Sequence, residues 1–297
     1  ERLYRQQINQ EIYASLGNIS SDMERSLAYE RSIVLRIVTS AAMQQYLPVL
    51  DSARAEDMHA DFYARTDRLN RFLLSFNDVL LGQGTFRVLD LNGNTLVKVG
   101  FGRITPPYFN GFEPFPYAEE EQSNIDEALK QKLSDLKPVE VNYLSLADRE
   151  QPAPVLDGVV PLIYDGNLVG YLVSSLFGLQ LDYILQLAPR PYQGRLSVVE
   201  VNPDDPVRHG RVLYDESQQV LFTEPGDEAR FADPLLLGMV QELPDGMYED
   251  EATGLATYYA EIFPYPDRLI SWVFTIQVDD SMVARPFQRI RWGISMF

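Results

Sequence analysis

Arg87 and Lys98 are the two side chains whose type and position most clearly suggest chemistry. They lie in the strand-type runs of TFRVLDLNGNTLVKVGF (Thr85 to Phe101), on either side of the turn signal Asn92-Gly93-Asn94. Alternate residues of a pleated strand share a face, so Arg87 is expected beside Leu89 and Lys98 beside Leu96. On a concave sheet face, two such cations could hold a carboxylate or another anion by charge-assisted hydrogen bonds. The plainer alternative is a solvent face on which both sit near acids, because a half-buried sheet exposes one side anyway.

Catalytic and metal signatures are missing. The chain has no cysteine, which excludes disulfides, thiolate metal sites and cysteine nucleophiles. Its two histidines, His59 and His209, have no serine in a glycine elbow nearby, and HExxH is absent. No glycine-rich phosphate loop occurs. The run from Asp90 to Asn94 has the glycine in the wrong place for a calcium loop and reads as a hairpin turn. Glu119-Glu120-Glu121 reads as a solvated helix start, and Asp204-Asp205 as a surface loop. With 43 acids, carboxylate pairs are unavoidable and carry no signal for a glycosidase. No catalytic residue, metal site or cofactor is therefore expected, and a hydrolase is the least favoured class.

Composition narrows the partners. The 297 residues allow two domains, and 45% hydrophobic with 11% aromatic content is enough for a packed core. A net charge of −18 repels nucleic acid phosphates and anionic lipid, so a DNA or RNA binder is excluded. No run of about 18 apolar residues exists to span a membrane. The first residues, ERLYRQQINQ, are polar and lack a starting Met, so an excised piece with membrane spans just outside it is expected.

The elements that would position Arg87 and Lys98 follow from periodicity. Ile8, Ile12, Leu16, Ile19, Met23, Leu27, Val34, Ile37 and Ala41 recur at helical steps, predicting one amphipathic helix that Pro48 ends. Unbroken, it would be about 70 Å long. A second helix is predicted from Ser52 to about Leu80, a short one near Ser123 to Leu136, and a strand from Val139 to Leu146. VPLIYDGNLVGYLVSSL (Val160 to Leu176) is a hairpin turning at Asp165-Gly166-Asn167, mostly core, with Gly170 marking a close approach or a bulge. A helical patch follows near Leu179 to Leu187, then a linker at APRPYQG (Ala188 to Gly194). Short strands follow at Leu196–Val201, Gly210–Tyr214, Gln219–Phe222, Gly246–Tyr248, Ala256–Phe263 and Leu269–Val278, with a helix from Pro234 to Leu243. The tail ARPFQRIRWGISMF carries arginines and Trp292, as a frayed end or a membrane-interface segment would.

This order of elements resembles the double Cache family, the PAS-like extracytoplasmic sensor domains of bacterial receptors. Arg87-Val88-Leu89-Asp90 with Gly93 and Lys98 is similar to that family's first central hairpin, and VEVNYLSLADREQPAPVLDGVVPLIYDGNLVGYLVSSL (Val139 to Leu176) to its later core. The resemblance implies an α+β fold: a long N-terminal helix (1–47) followed by two PAS-like units, each a central antiparallel sheet flanked by helices. A membrane-distal unit would span 48–190, a membrane-proximal unit 191–283, and 284–297 would lead to a span. It implies a periplasmic, small-molecule-sensing part of an inner-membrane receptor of histidine kinase, diguanylate cyclase or chemoreceptor type, in two-component or related signal transduction. The alternative is a non-signalling periplasmic or surface binding module of the same fold. Ligand would sit in the distal unit on Arg87, Lys98, Arg103, Tyr108, Tyr143, Ser145 and Arg149, and an anion is the expected chemistry. Amino-acid-sensing members group Arg, Trp and Tyr in the pocket loop. Here GFGRITPPYFNGFEPFPYA offers Arg103 and Tyr108 without Trp, so amino-acid binding is not expected. A homodimer through the long apolar stripe of the first helix is expected, with the membrane reached through flanking spans.

Overall fold

In a computed structural model, residues 2–52, 62–79, 84–91, 93, 95–100, 102–105, 127–144, 155–176, 178–223, 230–250 and 253–279 are described. The chain divides into two units, one made of Ala28–Phe177 and the other of Glu1–Leu27 with Gly178–Phe297. The fold is α+β, as the residue pattern predicts.

The first helix, α1, runs Arg2–Thr39, and its stripe from Ile8 to Ile37 is buried within the single chain. The helix does not run on to Pro48. It stops at Ser40, where α2 (Ala41–Ser52) leaves at 61° with Pro48 inside it. Ser40 explains the break. Its hydroxyl donates to the Ile37 carbonyl at 2.7 Å and accepts from the Met43 amide at 3.2 Å, ending one helix and capping the next. The third helix, α3, covers Phe62–Val79.

Six antiparallel strands form the sheet of the Ala28–Phe177 unit: β1 (Gly84–Leu89), β2 (Thr95–Gly100), β3 (Arg103–Thr105), β4 (Asn142–Leu144), β5 (Asp157–Tyr164) and β6 (Asn167–Leu176), in the order β3-β2-β1-β6-β5-β4. One face carries Phe86, Val88, Val97, Val99, Val160, Leu162 and Leu172. It packs on α2, α3 and the later part of α1 through Ile33, Ile37, Tyr46, Leu50 and Leu69. The other face carries Leu89, Val159, Tyr171 and Val173, packed with Leu133 of α4 (Glu127–Ser134). The β5–β6 hairpin places its tip at Asp165-Gly166, both at positive φ.

The second unit holds α5 (Leu179–Leu187), then β7 (Arg195–Val201), β8 (Val212–Asp215), α6 (Pro234–Glu242), β9 (Asp245–Asp250), β10 (Leu255–Ile262) and β11 (Ser271–Asp279). Its sheet order is β8-β7-β11-β10-β9, all antiparallel. The strand predicted at Gln219–Phe222 does not form. The chain makes a 3-10 turn at Glu216–Gln218 and returns with one bridge, Asp215 to Val220.

Asp182, in the first turn of α5, holds that return in place. Its carboxylate, 1% exposed, accepts from the Phe222 amide at 2.7 Å, the Thr223 amide at 3.0 Å and the Thr223 hydroxyl at 2.7 Å. Asp182→Asn keeps the shape but turns an amide N–H toward N–H donors. A loss of about 2–3 kcal/mol is expected in chemical denaturation, as for a buried charge-assisted bond left unmade.

Candidate functional site

The sheet of the Ala28–Phe177 unit brings Arg87 and Lys98 together. They are direct cross-strand partners on β1 and β2, and Arg87 pairs on its other side with Val173 of β6. Directly opposed residues hold their Cβ atoms roughly 5 Å apart. By alternation, Arg87 shares its face with Thr85 and Leu89, away from α1–α3. Leu96 does not accompany Lys98 as predicted. The register shifts between Val88 and Leu89, leaving Leu96 as the extra residue of a bulge, and Leu96 joins Val97 in the core under the helices.

Both cations are half-buried. The Arg87 side chain makes no hydrogen bond or ion pair with any described residue. Like charges directly opposite on a half-buried face repel. The next row of this face runs Arg103, Gly100, Thr85, Ser175 through the pairings of β3, β2, β1 and β6. Gly100 has Thr85 against it: an added Cβ would lie 2.7 Å from the Thr85 hydroxyl oxygen. The Ser175 hydroxyl donates to the Asp157 carboxylate of β5. Among the described residues this face thus offers the half-buried cations Arg87 and Lys98, the exposed Arg103, hydroxyls and one acid, bordered by the apolar Leu89, Tyr171, Val173 and Leu133.

The other candidates fall differently. Arg103 lies on the edge strand β3 and is exposed. Tyr143 is opposite Gly158, which pairs with Ser174. It packs with the core under the helices, so it occupies the face opposite Arg87. Tyr108, Ser145 and Arg149 lie outside the described residues, as do His59 and the arginine-rich tail. His209 is structural: its Nδ1 accepts from the Asn202 amide at 3.2 Å. Ser175 and Asp157 were not candidates in the sequence, because both sit in strands that read as core. Their signal is the alternation of the hairpin itself, which puts Ser175 on the opposite side from Ser174.

The architecture has solved counterparts. The extracellular domain of vpHK1S-Z8, classed as a histidine kinase, superposes with a TM-score of 0.60 at 13% identity, covering 96% of both chains. A domain from Vibrio parahaemolyticus classed in the sensory box/GGDEF family gives 0.61 at 13%, covering 95% of this chain and 99% of that one. The chain has the fold of these sensor domains. The sensory domain of the Campylobacter jejuni chemoreceptor Tlp3 (CcmL) shares it, with a TM-score of 0.51 at 9% identity over 95% of this chain and 99% of that one. That Tlp3 domain is also known with isoleucine bound. No protein-family model and no curated protein matches the sequence. Of the two sheets, the Arg87–Lys98 pair lies on the six-stranded one.

Proposed function

We propose that this chain is the extracytoplasmic ligand-sensing region of a transmembrane signal-transduction receptor, not an enzyme. The Ala28–Phe177 unit would be membrane-distal and hold an anionic small molecule on the sheet face of Arg87 and Lys98. The other unit would be membrane-proximal and relay the change through α1 and β11 to flanking spans. A histidine kinase, diguanylate cyclase or chemoreceptor output would fit. The fold and the sensor domains that share it support the class. The observation that carries the site is Arg87 itself: a half-buried guanidinium opposite Lys98, with no counter-ion among the described residues. A signal then requires that ligand favour one arrangement of these elements over another.

A thermal-shift panel of small organic acids, amines and sugars tests the site. An acid present at about 100 times its Kd should stabilise the protein by about 2.7 kcal/mol. Arg87→Ala should weaken that acid roughly 10- to 100-fold, as expected for losing a charged hydrogen bond, and Lys98→Ala should weaken it too. If the stabilising compound binds both variants as tightly as the parent, the site lies elsewhere. A complete gene without membrane spans and a cytoplasmic output domain would overturn the signalling role.

A further inference from the structure

Glu30 is a buried acid in an apolar setting. It lies on α1 near the start of the stretch belonging to the Ala28–Phe177 unit and is 5% exposed. Its neighbours along the helix, Ile33 and Val34, belong to the core on the sheet. One hydrogen bond meets it: the Ser174 hydroxyl of β6 donates to Oε1 at 3.0 Å. Ser174 is itself buried, on a central strand, in the row with Tyr143 of β4, Gly158 of β5 and Phe86 of β1. No lysine or arginine among the described residues forms a salt bridge with Glu30. The charges that act on it are Arg31, on its own helix, and Asp157 of β5, whose carboxylate opposes a second negative charge. Arg87 and Lys98 lie on the other side of the sheet. One neutral hydroxyl is poor compensation for a dehydrated carboxylate.

We propose that Glu30 is a proton-operated latch between the long helix and the central sheet strand: protonated, it seats α1 on Ser174, and ionised, it loosens that seat. The unit would then respond to ambient pH without needing a ligand on the opposite face. Burial is the main cause, and it pushes the carboxyl from 4.5 up to about 7, while the Ser174 hydrogen bond and Arg31 act against it. The sign follows. Opened and hydrated, the group titrates near 4.5, so below that value both forms are protonated and the seat is at full strength. As pH rises through about 7 the seated carboxyl loses its proton, and the stability it gave is lost.

Hydrogen exchange of the Ala28–Thr39 amides in the full chain, corrected for intrinsic rates, reads this directly. Linkage between those two titration points predicts about a tenfold rise in opening from about pH 6 to about pH 8. Glu30→Gln, an uncharged isostere, should show no such rise. Ser174→Ala removes the bond that favours the ionised form, so it should keep the rise and move its midpoint to higher pH. A parent protein with flat exchange, or a Glu30→Gln variant that keeps the parental rise, overturns the proposal. Should Glu30→Gln fail to fold, an unmoved midpoint in Ser174→Ala overturns it equally. The ligand panel above is a separate readout, since Arg87→Ala leaves Glu30 in place.

Discussion

Glu200→Ala is expected to cost about 3–5 kcal/mol, the usual loss when one partner of a buried ion pair is removed. Glu200, on β7, is fully buried, and Arg208 is 5% exposed. The guanidinium forks onto the carboxylate, with Nε to Oε1 and Nη2 to Oε2 both at 2.6 Å, and Asn202 adds Nδ2 to Oε1 at 3.3 Å. Backbone bonds from Gly210 to Glu200 and from Glu200 to Arg211 close the same loop onto the strand. Without the carboxylate, Arg208 stays in the interior with its main counter-charge gone, and buried Arg211 lies close enough to add repulsion. The melting transition of the β7–β11 unit should fall by roughly 10 °C. Glu200→Met combined with Arg208→Met should cost less than Glu200→Ala alone, because no charge is then left behind. Calorimetry of the three proteins checks this, and a double variant that loses as much as Glu200→Ala would overturn it.

Gly170→Ala carries the second large effect. Gly170 stands on β6, opposite Leu162, beside a register shift between Leu162 and Ile163. An added Cβ would lie 2.3 Å from the Leu89 carbonyl oxygen of β1 and 3.4 Å from a Leu50 methyl. A backbone carbonyl cannot swing aside as a side-chain tip can, so β1 and β6 must part. We expect about 3 kcal/mol of destabilisation, at the upper end for overpacking, read as a lower denaturation midpoint. Leu89 is two residues from Arg87 on the same strand, so the anion binding proposed for Arg87 should weaken together with stability. A Gly170→Ala protein with parental stability would mean that the β1–β6 contact is looser than this geometry.

The core of α1 was legible because burial of one face is written as a 3.6-residue period, and each of Ile8, Ile12, Leu16, Ile19, Met23 and Leu27 is buried. The β5–β6 hairpin was legible too, since Asp165-Gly166 supplies the positive φ that its turn needs. The break at Ser40 was not, because apolar spacing continues across it and only the paired bonds of one hydroxyl reveal it. Pro48 misled because a missing N–H does not stop a helix that packs on its neighbours through Tyr46, Leu47, Val49 and Leu50. Gln219–Phe222 misled because Asp182, distant in sequence, binds the Phe222 and Thr223 amides that a ladder would have used.

For the candidate site, residue types along two strands were enough to single out Arg87 and Lys98, since cations inside apolar runs are rare enough to notice. Their direct opposition, the bulge that turns Leu96 away, and the placement of Tyr143 on the far face depend on strand register. Register is set by pairing between distant segments, and a slip of one residue exchanges the faces. Glu30 marks the same divide. As a sequence letter it is one more acid on a polar-looking helix, whereas packing on β6 makes it a buried carboxyl with a single hydroxyl for company. Local periodicity therefore determined which elements form and which stripes they bury. Only tertiary contact decided which polar side chains share a face and which are cut off from water, because desolvation belongs to the packed neighbourhood of a residue.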